Sequence, residues 1–231
     1  MRPFFSYYGG KYRIAPRYPD PQHGKIIEPF AGSAGYSLRY PWLKVTLYEI
    51  NPKIAGIWRY LIGSSPADIL SLPLVEHVDE ANVCQEAKWL MGMWMGKGRA
   101  SPAKSLSEWG RDGRWTHCFW GVEIRQRIAN QMNRIKHWKV AQKSYHDCPE
   151  IEATWFVDPP YSGPAGKHYP NSDVDYSHLA EWCKSRRGLS IVCEMNGADW
   201  LPFEHFHHAK ANNGRGRNGI CHEVIWTNLA S

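Results

Sequence analysis

Lys25–Ile50 reads KIIEPFAGSAGYSLRYPWLKVTLYEI and alternates apolar runs with a cluster of small residues. The pattern predicts a short strand over Lys25–Pro29 and a turn of small residues at Phe30–Gly35. The next residues, Tyr36–Arg39, are predicted to start a helix. A strand, a small-residue turn and a helix are the components of a first βα unit in a nucleotide-binding sheet.

The second half of this stretch predicts another strand, Val45–Ile50, with Glu49 near its carboxyl end. Asn51-Pro52 is typical of a helix start, because Asn caps the first turn and Pro fits the first helical position. The predicted helix continues to about Ile62. The order of strand, loop, helix, strand and acid therefore indicates a Rossmann-like α/β arrangement.

The remaining chain resumes this alternation after an interruption. Strands are predicted over 140–145, 154–157 and 189–194, a helix over 174–186, and two final strands over 206–211 and 220–227. We expect a mainly parallel sheet with a C-terminal antiparallel hairpin. Residues 66–138 interrupt the alternation with predicted helices over 66–78, 79–95 and 122–138, and with a loop over 96–113. This region is predicted to be an inserted, mainly helical lobe, so that 1–65 and 139–231 form the main domain.

The basic residues of the chain are concentrated in the lobe. The 231 residues carry a net charge of +6, but Cys84–Lys143 alone holds twelve Lys/Arg against four Asp/Glu and six of the twelve tryptophans. Basic and aromatic side chains together favour nucleic-acid binding, although a solvated face over an aromatic core would give the same composition. The candidate DNA-binding residues are Lys97, Arg99, Arg111, Arg114, Arg125 and Arg134; Arg215 and Arg217 are weaker candidates.

Cysteine spacing and hydropathy predict a reduced, cytoplasmic protein. The six cysteines are scattered without a C-x-x-C pair, and no apolar run approaches the length of a membrane span. His205, His207, His208 and His222 are close in sequence, but they lack the fixed spacing of a structural zinc site. We therefore expect neither a metal nor a membrane partner.

The Phe30–Gly35 loop and Glu49 predict a nucleoside pocket. Small residues let the backbone approach a ligand closely, and a carboxylate after the second strand can accept hydrogen bonds from both ribose hydroxyls. The loop has neither the G-x-G-x-x-G spacing of dinucleotide binders nor the G-K-[ST] of a P-loop. A phosphate-free adenosine derivative is therefore favoured over NAD or ATP.

Asp158-Pro159-Pro160-Tyr161 follows the predicted strand 154–157 and is the most specific motif. The prolines remove two N–H donors, so that the turn presents the Asp158 carboxylate and the Pro159 carbonyl as acceptors. These acceptors suit an exocyclic amine, and the Tyr161 ring offers a stacking face to the base that carries it. The structural alternative is an ordinary proline turn beside a core tyrosine.

These motifs, in this order, resemble the adenine-N6 DNA methyltransferases of the Dam type over nearly the whole chain. The resemblance implies that Tyr7-Tyr8-Gly9-Gly10-Lys11 contacts the methionine end of S-adenosylmethionine. It also implies that Phe30, Gly32 and Ser33 form the cofactor loop and that Glu49 binds the ribose. Asp147 is similar to an acid that helps to hold the cofactor adenine, and Asp158 borders both the cofactor and the catalytic site. Glu28 lies one place from the acid expected before the loop.

The resemblance implies methyl transfer from S-adenosylmethionine to adenine in double-stranded DNA, with S-adenosylhomocysteine as the product. The target base would be flipped into the pocket, onto Tyr161, under a closing loop Ser162–Pro170. Asp158, Pro159 and Tyr161 would be the catalytic residues, and the lobe would recognise the target. The resemblance also implies a phage-encoded or orphan enzyme in the cytoplasm of a bacterium or a phage-infected host. Cytosine-N4, RNA adenine or protein glutamine methylation, and a catalytically silent nucleic-acid-binding module, remain as alternatives.

Overall fold

A computed structural model describes residues 1–112, 116–212 and 218–229. The strands are β1 Lys25–Glu28, β2 Lys44–Tyr48, β3 Lys139–Ala141, β4 Thr154–Val157, β5 Ser190–Met195, β6 Glu204–Asn212 and β7 Asn218–Thr227. The α-helices are α1 Pro52–Gly63, α2 Pro66–Leu70, α3 Gln85–Met95, α4 Glu108–Arg111, α5 Val122–Ala129 and α6 Tyr176–Lys184. The predicted α/β class is confirmed.

The strands form one mixed sheet in the order β3-β2-β1-β4-β5-β7-β6. The first five in this order pair in parallel, whereas β7 pairs antiparallel with both β5 and β6. The sheet is compatible with a Rossmann-like fold, because β1 and β4 lie side by side in its interior and crossover connections lead to strands on both sides. The carboxyl ends of β1, β2 and β4 therefore meet at one edge of the sheet.

Several predicted elements differ from the structure. The helix predicted over 66–78 ends at Leu70, the helix predicted over 79–95 begins only at Gln85, and the strand predicted over 140–145 ends at Ala141. The helix expected at Tyr36–Arg39 is only a short 3-10 helix, Ser37–Arg39. The long helix predicted over 122–138 stops at Ala129 and is followed by a 3-10 helix, Met132–Ile135. The apolar spacing continues across this break, but the Gln131 side chain forms two hydrogen bonds with the backbone of the distant Arg2. Within the predicted loop 96–113 lies the short helix α4.

Residues 66–138 and the sheet share one hydrophobic cluster. Trp58 and Leu61 of α1 belong to it together with Leu90 and Met91 of α3, Ile128 of α5, and residues of β1 and β2. A second cluster on the other face of the sheet packs α6 against β4 and β5. Within the described ranges, no helix is long and apolar enough to cross a membrane, and no group of His, Cys, Asp and Glu is arranged to hold a metal.

Candidate functional site

An open cleft of about 920 Å³ lies at the edge where the parallel strands end. Its walls come from the N-terminal segment, the loop after β1, the residues after β2 and β3, and the turn after β4. The residues that line the cleft include Tyr7, Gly10, Lys11, Glu28, Phe30, Gly32, Ser33, Gly35, Glu49, Lys143, Ser144, Tyr145, Asp158, Pro160, Tyr169 and Asp173. Sequence reasoning placed the site at this edge, and most of its candidates are brought together there.

The N-terminal segment contributes a buried lysine to the cleft. Lys11 lies at the start of a 3-10 helix, and its Nζ is 2.8 Å from Asp158 Oδ1 and donates to the Gly9 carbonyl at 3.0 Å. The amine also lies 4.8 Å from the centre of the Tyr161 ring. Burial alone would lower the pKa of Lys11, but the opposing Asp158 carboxylate raises it well above the usual value. Lys11 is therefore a fixed cation at the base of the cleft.

Gly35 brings the loop after β1 against this segment. A Cβ at Gly35 would lie 2.6 Å from the Tyr12 nitrogen, so that only glycine allows the two backbones to approach so closely. Gly32 has a φ of +45°, and its carbonyl accepts a hydrogen bond from the Trp58 indole at 2.8 Å. This contact with α1 and the close approach at Gly35 fix the loop on both sides.

Glu49 holds the same loop from the end of β2. Its two carboxylate oxygens accept from the Gly32 nitrogen at 3.0 Å and the Asn51 nitrogen at 2.9 Å. Burial raises the pKa of Glu49, while these backbone donors favour the charged form. Each oxygen has a second lone pair, so the carboxylate can accept from a ligand in the cleft as well.

Asp158 follows β4 and faces the cleft beside Lys11. Burial raises the pKa of Asp158 to about 6, although the Lys11 ammonium acts in the opposite direction. The Lys11 contact uses Oδ1, and within the described residues no hydrogen bond reaches Oδ2. Asp158 therefore has one oxygen anchored and the other available as an acceptor.

The rest of the tetrapeptide frames Asp158. Pro160 lines the cleft, and its carbonyl accepts from the Tyr176 hydroxyl at 2.7 Å. Pro159 and Tyr161 do not appear in the cleft wall. The Tyr161 ring packs under the Lys11 amine, and its buried hydroxyl has no hydrogen-bond partner in the described part of the chain. The turn thus keeps the tyrosine next to the ion pair.

Glu194 supports the site from outside the cleft wall, and sequence reasoning missed it. It is the penultimate residue of β5, is fully buried, and accepts from the Ser162 nitrogen at 2.6 Å, the Met195 nitrogen at 2.6 Å and the Trp200 indole at 3.3 Å. This carboxylate anchors the first residue after the tetrapeptide. The available signal was an acid at the end of a predicted strand, the same pattern that identified Glu49.

Ser162–Pro170, the predicted closing loop, contains a 3-10 helix, Pro164–His168, and returns to the N-terminal segment. The Tyr169 hydroxyl donates to the Tyr8 carbonyl at 3.2 Å, and the Tyr169 side chain lines the cleft. Whether the loop moves stays a prediction. Its contacts place it over the same segment that presents Lys11.

Asp147 is not brought to the cleft. Its side chain accepts from the Ser144 nitrogen at 3.0 Å and so caps its own 3-10 turn, while Ser144 and Tyr145 line the cleft instead. Acids at such positions often serve as helix caps. After β3, the residues placed to meet a ligand are therefore Ser144 and Tyr145, whose ring lies 5.4 Å from that of Phe30.

Glu28 is a second acid in the cleft, at the end of β1. It is 2% exposed and accepts from the Ser37 nitrogen at 2.8 Å. Burial raises the pKa of Glu28 to about 8, so that the neutral form dominates at pH 7. The sequence placed this acid beside the loop without a role; the structure places it under the loop as a hydrogen-bond acceptor.

Some candidate DNA-binding side chains of the lobe bond to neighbouring protein groups, and others are exposed to solvent. Arg125 donates to the carbonyls of Leu70 and Leu72 at the end of α2, and Arg111 pairs with Glu76 at 3.5 Å. Lys97, Arg99 and Arg134 are exposed, with the Lys97 amine 5.7 Å from the centre of the Phe119 ring. Arg114, Arg215 and Arg217 lie outside the described residues. Arg125 thus has a structural role in holding α2.

Comparison of the chain with protein-family models and with curated proteins finds no match.

Proposed function

We propose that the chain is a Dam-type adenine-N6 DNA methyltransferase that uses S-adenosylmethionine. The observation that carries this proposal is the convergence of Lys11, the Phe30–Gly35 loop, Glu49 and Asp158 in one cleft. These groups come from four separate parts of the chain. A merely structural proline turn gives no reason for a buried cation, a glycine loop and two carboxylates to meet there.

The cleft suits a phosphate-free adenosine derivative. Glu49 offers carboxylate oxygens for ribose hydroxyls. Gly10, Gly32 and Gly35 let the loop and the N-terminal segment pack closely against each other, which shapes the pocket. Of the two lysines in the described cleft wall, Lys11 is already paired with Asp158, and Lys143 alone does not form a basic cradle for phosphates. Bound S-adenosylmethionine would supply a methyl group on a positively charged sulfur. Tyr7, Phe30, Ser33, Ser144 and Tyr145 would complete its pocket.

Asp158 is the acceptor for the substrate amine in this proposal. Its free Oδ2 and the Pro159 carbonyl would accept the two N6–H groups, which increases the nucleophilicity of the nitrogen and stabilises its developing positive charge. Lys11 holds the carboxylate in place and favours its ionised form. A carboxylate with a pKa of about 6 is too weak a base to deprotonate a neutral amine, so the proton leaves with or after methyl transfer.

The finer architecture belongs to the same proposal. Residues 66–138 would be the inserted target-recognition lobe, and 1–65 with 139–231 the catalytic domain, closed by an antiparallel hairpin of β6 and β7. The target adenine is inaccessible within a base-paired duplex and would have to be flipped into the cleft, beside Tyr161. The exposed basic residues next to Tyr8, among them Lys97 and Arg99, would face the duplex.

The test is transfer of a radiolabelled methyl group to three polymers: unmethylated duplex DNA, RNA and protein. We expect label in the DNA alone, with no detectable transfer by Asp158→Ala although that variant still binds the cofactor. The matched control is Asp199→Ala, which removes an exposed aspartate outside the cleft wall and should transfer methyl normally. Label in RNA or protein but not in DNA, or normal transfer by Asp158→Ala, would contradict the proposal.

A further inference from the structure

Arg2, Arg39, Arg127 and Arg134, here called the arginine ridge, are brought together by the packing of the N-terminal residues. The Arg2 nitrogen donates to Gln131 Oε1 at 3.0 Å, and Gln131 Nε2 donates back to the Arg2 carbonyl at 2.8 Å. Gln131 lies between Arg127 and Arg134 in the chain. This two-way contact therefore places Arg2 beside both arginines.

Arg39 lies near the other members of the ridge because Met1 contacts the residue before it, Leu38. The Met1 nitrogen donates to the Leu38 carbonyl at 3.0 Å, which brings the start of the chain to the 3-10 helix Ser37–Arg39. The Arg39 guanidinium lies 6.0 Å from the centre of the Tyr40 ring, whose hydroxyl donates to Asp20 at 2.6 Å. An acid is thus close to Arg39, which makes it the weakest member of the ridge.

Arg127 lacks the acceptors that its position calls for. Its guanidinium lies 4.7 Å from the centre of the Trp94 ring, and its buried Nε and Nη2 have no hydrogen-bond partner among the residues that the structure describes. Burial, with the neighbouring Arg2 charge, lowers the pKa of Arg127, but a guanidinium stays charged at neutral pH. These two nitrogens are out of reach of an external anion, and the half-buried Arg127 contributes its positive charge to the ridge.

The ridge is uncompensated within the described residues. None of its four arginines forms an ion pair there, whereas Arg111 of the lobe pairs with Glu76. Four clustered cations favour a partner with closely spaced negative charges, because binding releases the counterions of such a partner. A nucleic-acid backbone has this charge pattern.

We propose that the arginine ridge binds the phosphodiester backbone of duplex DNA beside the base that enters the cleft. This inference rests on the proposed function and adds a contact surface outside the lobe. Arg2 is five positions before Tyr7 of the cleft wall, so their Cα atoms are at most about 18 Å apart. One turn of B-DNA spans about 34 Å, so a single duplex can reach both.

The test is binding of a short, fluorescently labelled duplex, measured by anisotropy at increasing potassium chloride. Each lost phosphate contact should lower the slope of log K against log salt by about 0.9, so Arg2→Gln/Arg134→Gln should lower it by about 1.8. Arg127→Gln should lower the slope and Arg127→Lys should preserve it, which separates lost charge from lost packing on Trp94. Arg187→Gln is the control. Arg187 is exposed, and its carbonyl accepts from the Ala153 nitrogen at the edge of the sheet opposite the cleft.

Circular dichroism of each variant establishes that it is folded before binding is compared. An unchanged slope in Arg2→Gln/Arg134→Gln, or an equal fall in Arg187→Gln, would overturn the inference. Methyl transfer separates its failure from failure of the proposed function. A wild-type protein that methylates DNA while the double variant keeps the full slope refutes the ridge alone. A wild-type protein that shows the predicted slopes but transfers no methyl refutes the methyltransferase and supports the ridge.

Discussion

At the residue scale, the Lys11–Asp158 pair determines the chemistry available in the cleft. Two effects oppose each other at Asp158: burial raises its pKa, and the ammonium 2.8 Å away lowers it. Both oxygens of Asp158 can accept hydrogen bonds only when the carboxyl group is ionised. Because Lys11 favours the ionised form, it keeps Asp158 functional as an acceptor near neutral pH. Lys11 is thus a positioning residue whose effect is expressed through the carboxylate.

The pH dependence of methyl transfer tests this relation. Activity should fall as pH decreases through about 6, where Asp158 becomes protonated. Lys11→Met removes the cation that favours the carboxylate, so the acidic limb of the kcat/KM profile should move above pH 6. Lys143→Met is the control, because Lys143 lines the cleft without an ion pair to Asp158. An acidic limb at the same pH in wild type and Lys11→Met would be inconsistent with the assigned role.

Glu28 predicts a pH dependence of stability. Its folded-state pKa of about 8 exceeds the ordinary value of 4.5, so the folded protein binds more protons than the unfolded chain between these values. The free energy of unfolding should therefore decrease as pH rises, by up to about 1.4 kcal/mol per unit. Glu28→Gln should reduce this slope in urea titrations between pH 6 and pH 8.

Exposed Glu150 provides the matched control for that measurement. Glu150→Gln should keep the wild-type slope, because the Glu150 side chain is in contact with water in both the folded and the unfolded protein. Equal slopes in wild type and Glu28→Gln would show that Glu28 is ionised in the folded protein.

At the element scale, parallel strands explain why the sequence predicted much of the site. Strand ends can be located from apolar runs, and Glu49 and Asp158 follow such runs directly. The same reasoning gave a wrong prediction for Asp147. An acid after a strand can equally cap its own turn, and the Asp147 carboxylate does so by accepting from the Ser144 nitrogen. Residues whose position depends on partners far away in the chain, such as Gln131, could not be placed from local spacing.

Two glycines in the loop Ser162–Pro170 provide a test variant and its matched control. A Cβ at Gly166 would overlap the Tyr161 carbonyl oxygen, whereas a Cβ at Gly163 would meet nothing within 4 Å. Gly166→Ala should displace the loop that carries Tyr169 and reduce kcat/KM for methyl transfer by about tenfold or more, since small misplacements near reacting groups are costly. Gly163→Ala should stay close to wild type. Equal activities of the two variants would mean that loop position does not matter for turnover.

At the scale of the whole molecule, the lobe and the sheet share one hydrophobic cluster, in which α1 packs against α3. The sequence suggested a separate region because the α/β alternation stops at Pro66 and the basic excess lies within Cys84–Lys143. It could not reveal the shared core, which depends on contacts between distant apolar faces. A shared core predicts one cooperative unfolding transition.

Substitution of Leu90, which is fully buried, tests this cooperativity. Leu90→Ala should lower the free energy of unfolding by about 2–5 kcal/mol and shift circular dichroism and tryptophan fluorescence transitions together. Leu74→Ala, at a position 52% exposed, should have a much smaller effect. Two separate transitions in either variant would indicate a lobe that folds by itself.

The account depends most on the identity of the methylated base. Mass spectrometry of nucleosides from unmethylated duplex DNA, after incubation with the protein and S-adenosylmethionine, measures it directly. We predict N6-methyl-2′-deoxyadenosine as the product, present with wild type and absent with Asp158→Ala. N4-methyl-2′-deoxycytidine, or no modified nucleoside from a protein that binds both cofactor and DNA, would contradict the account.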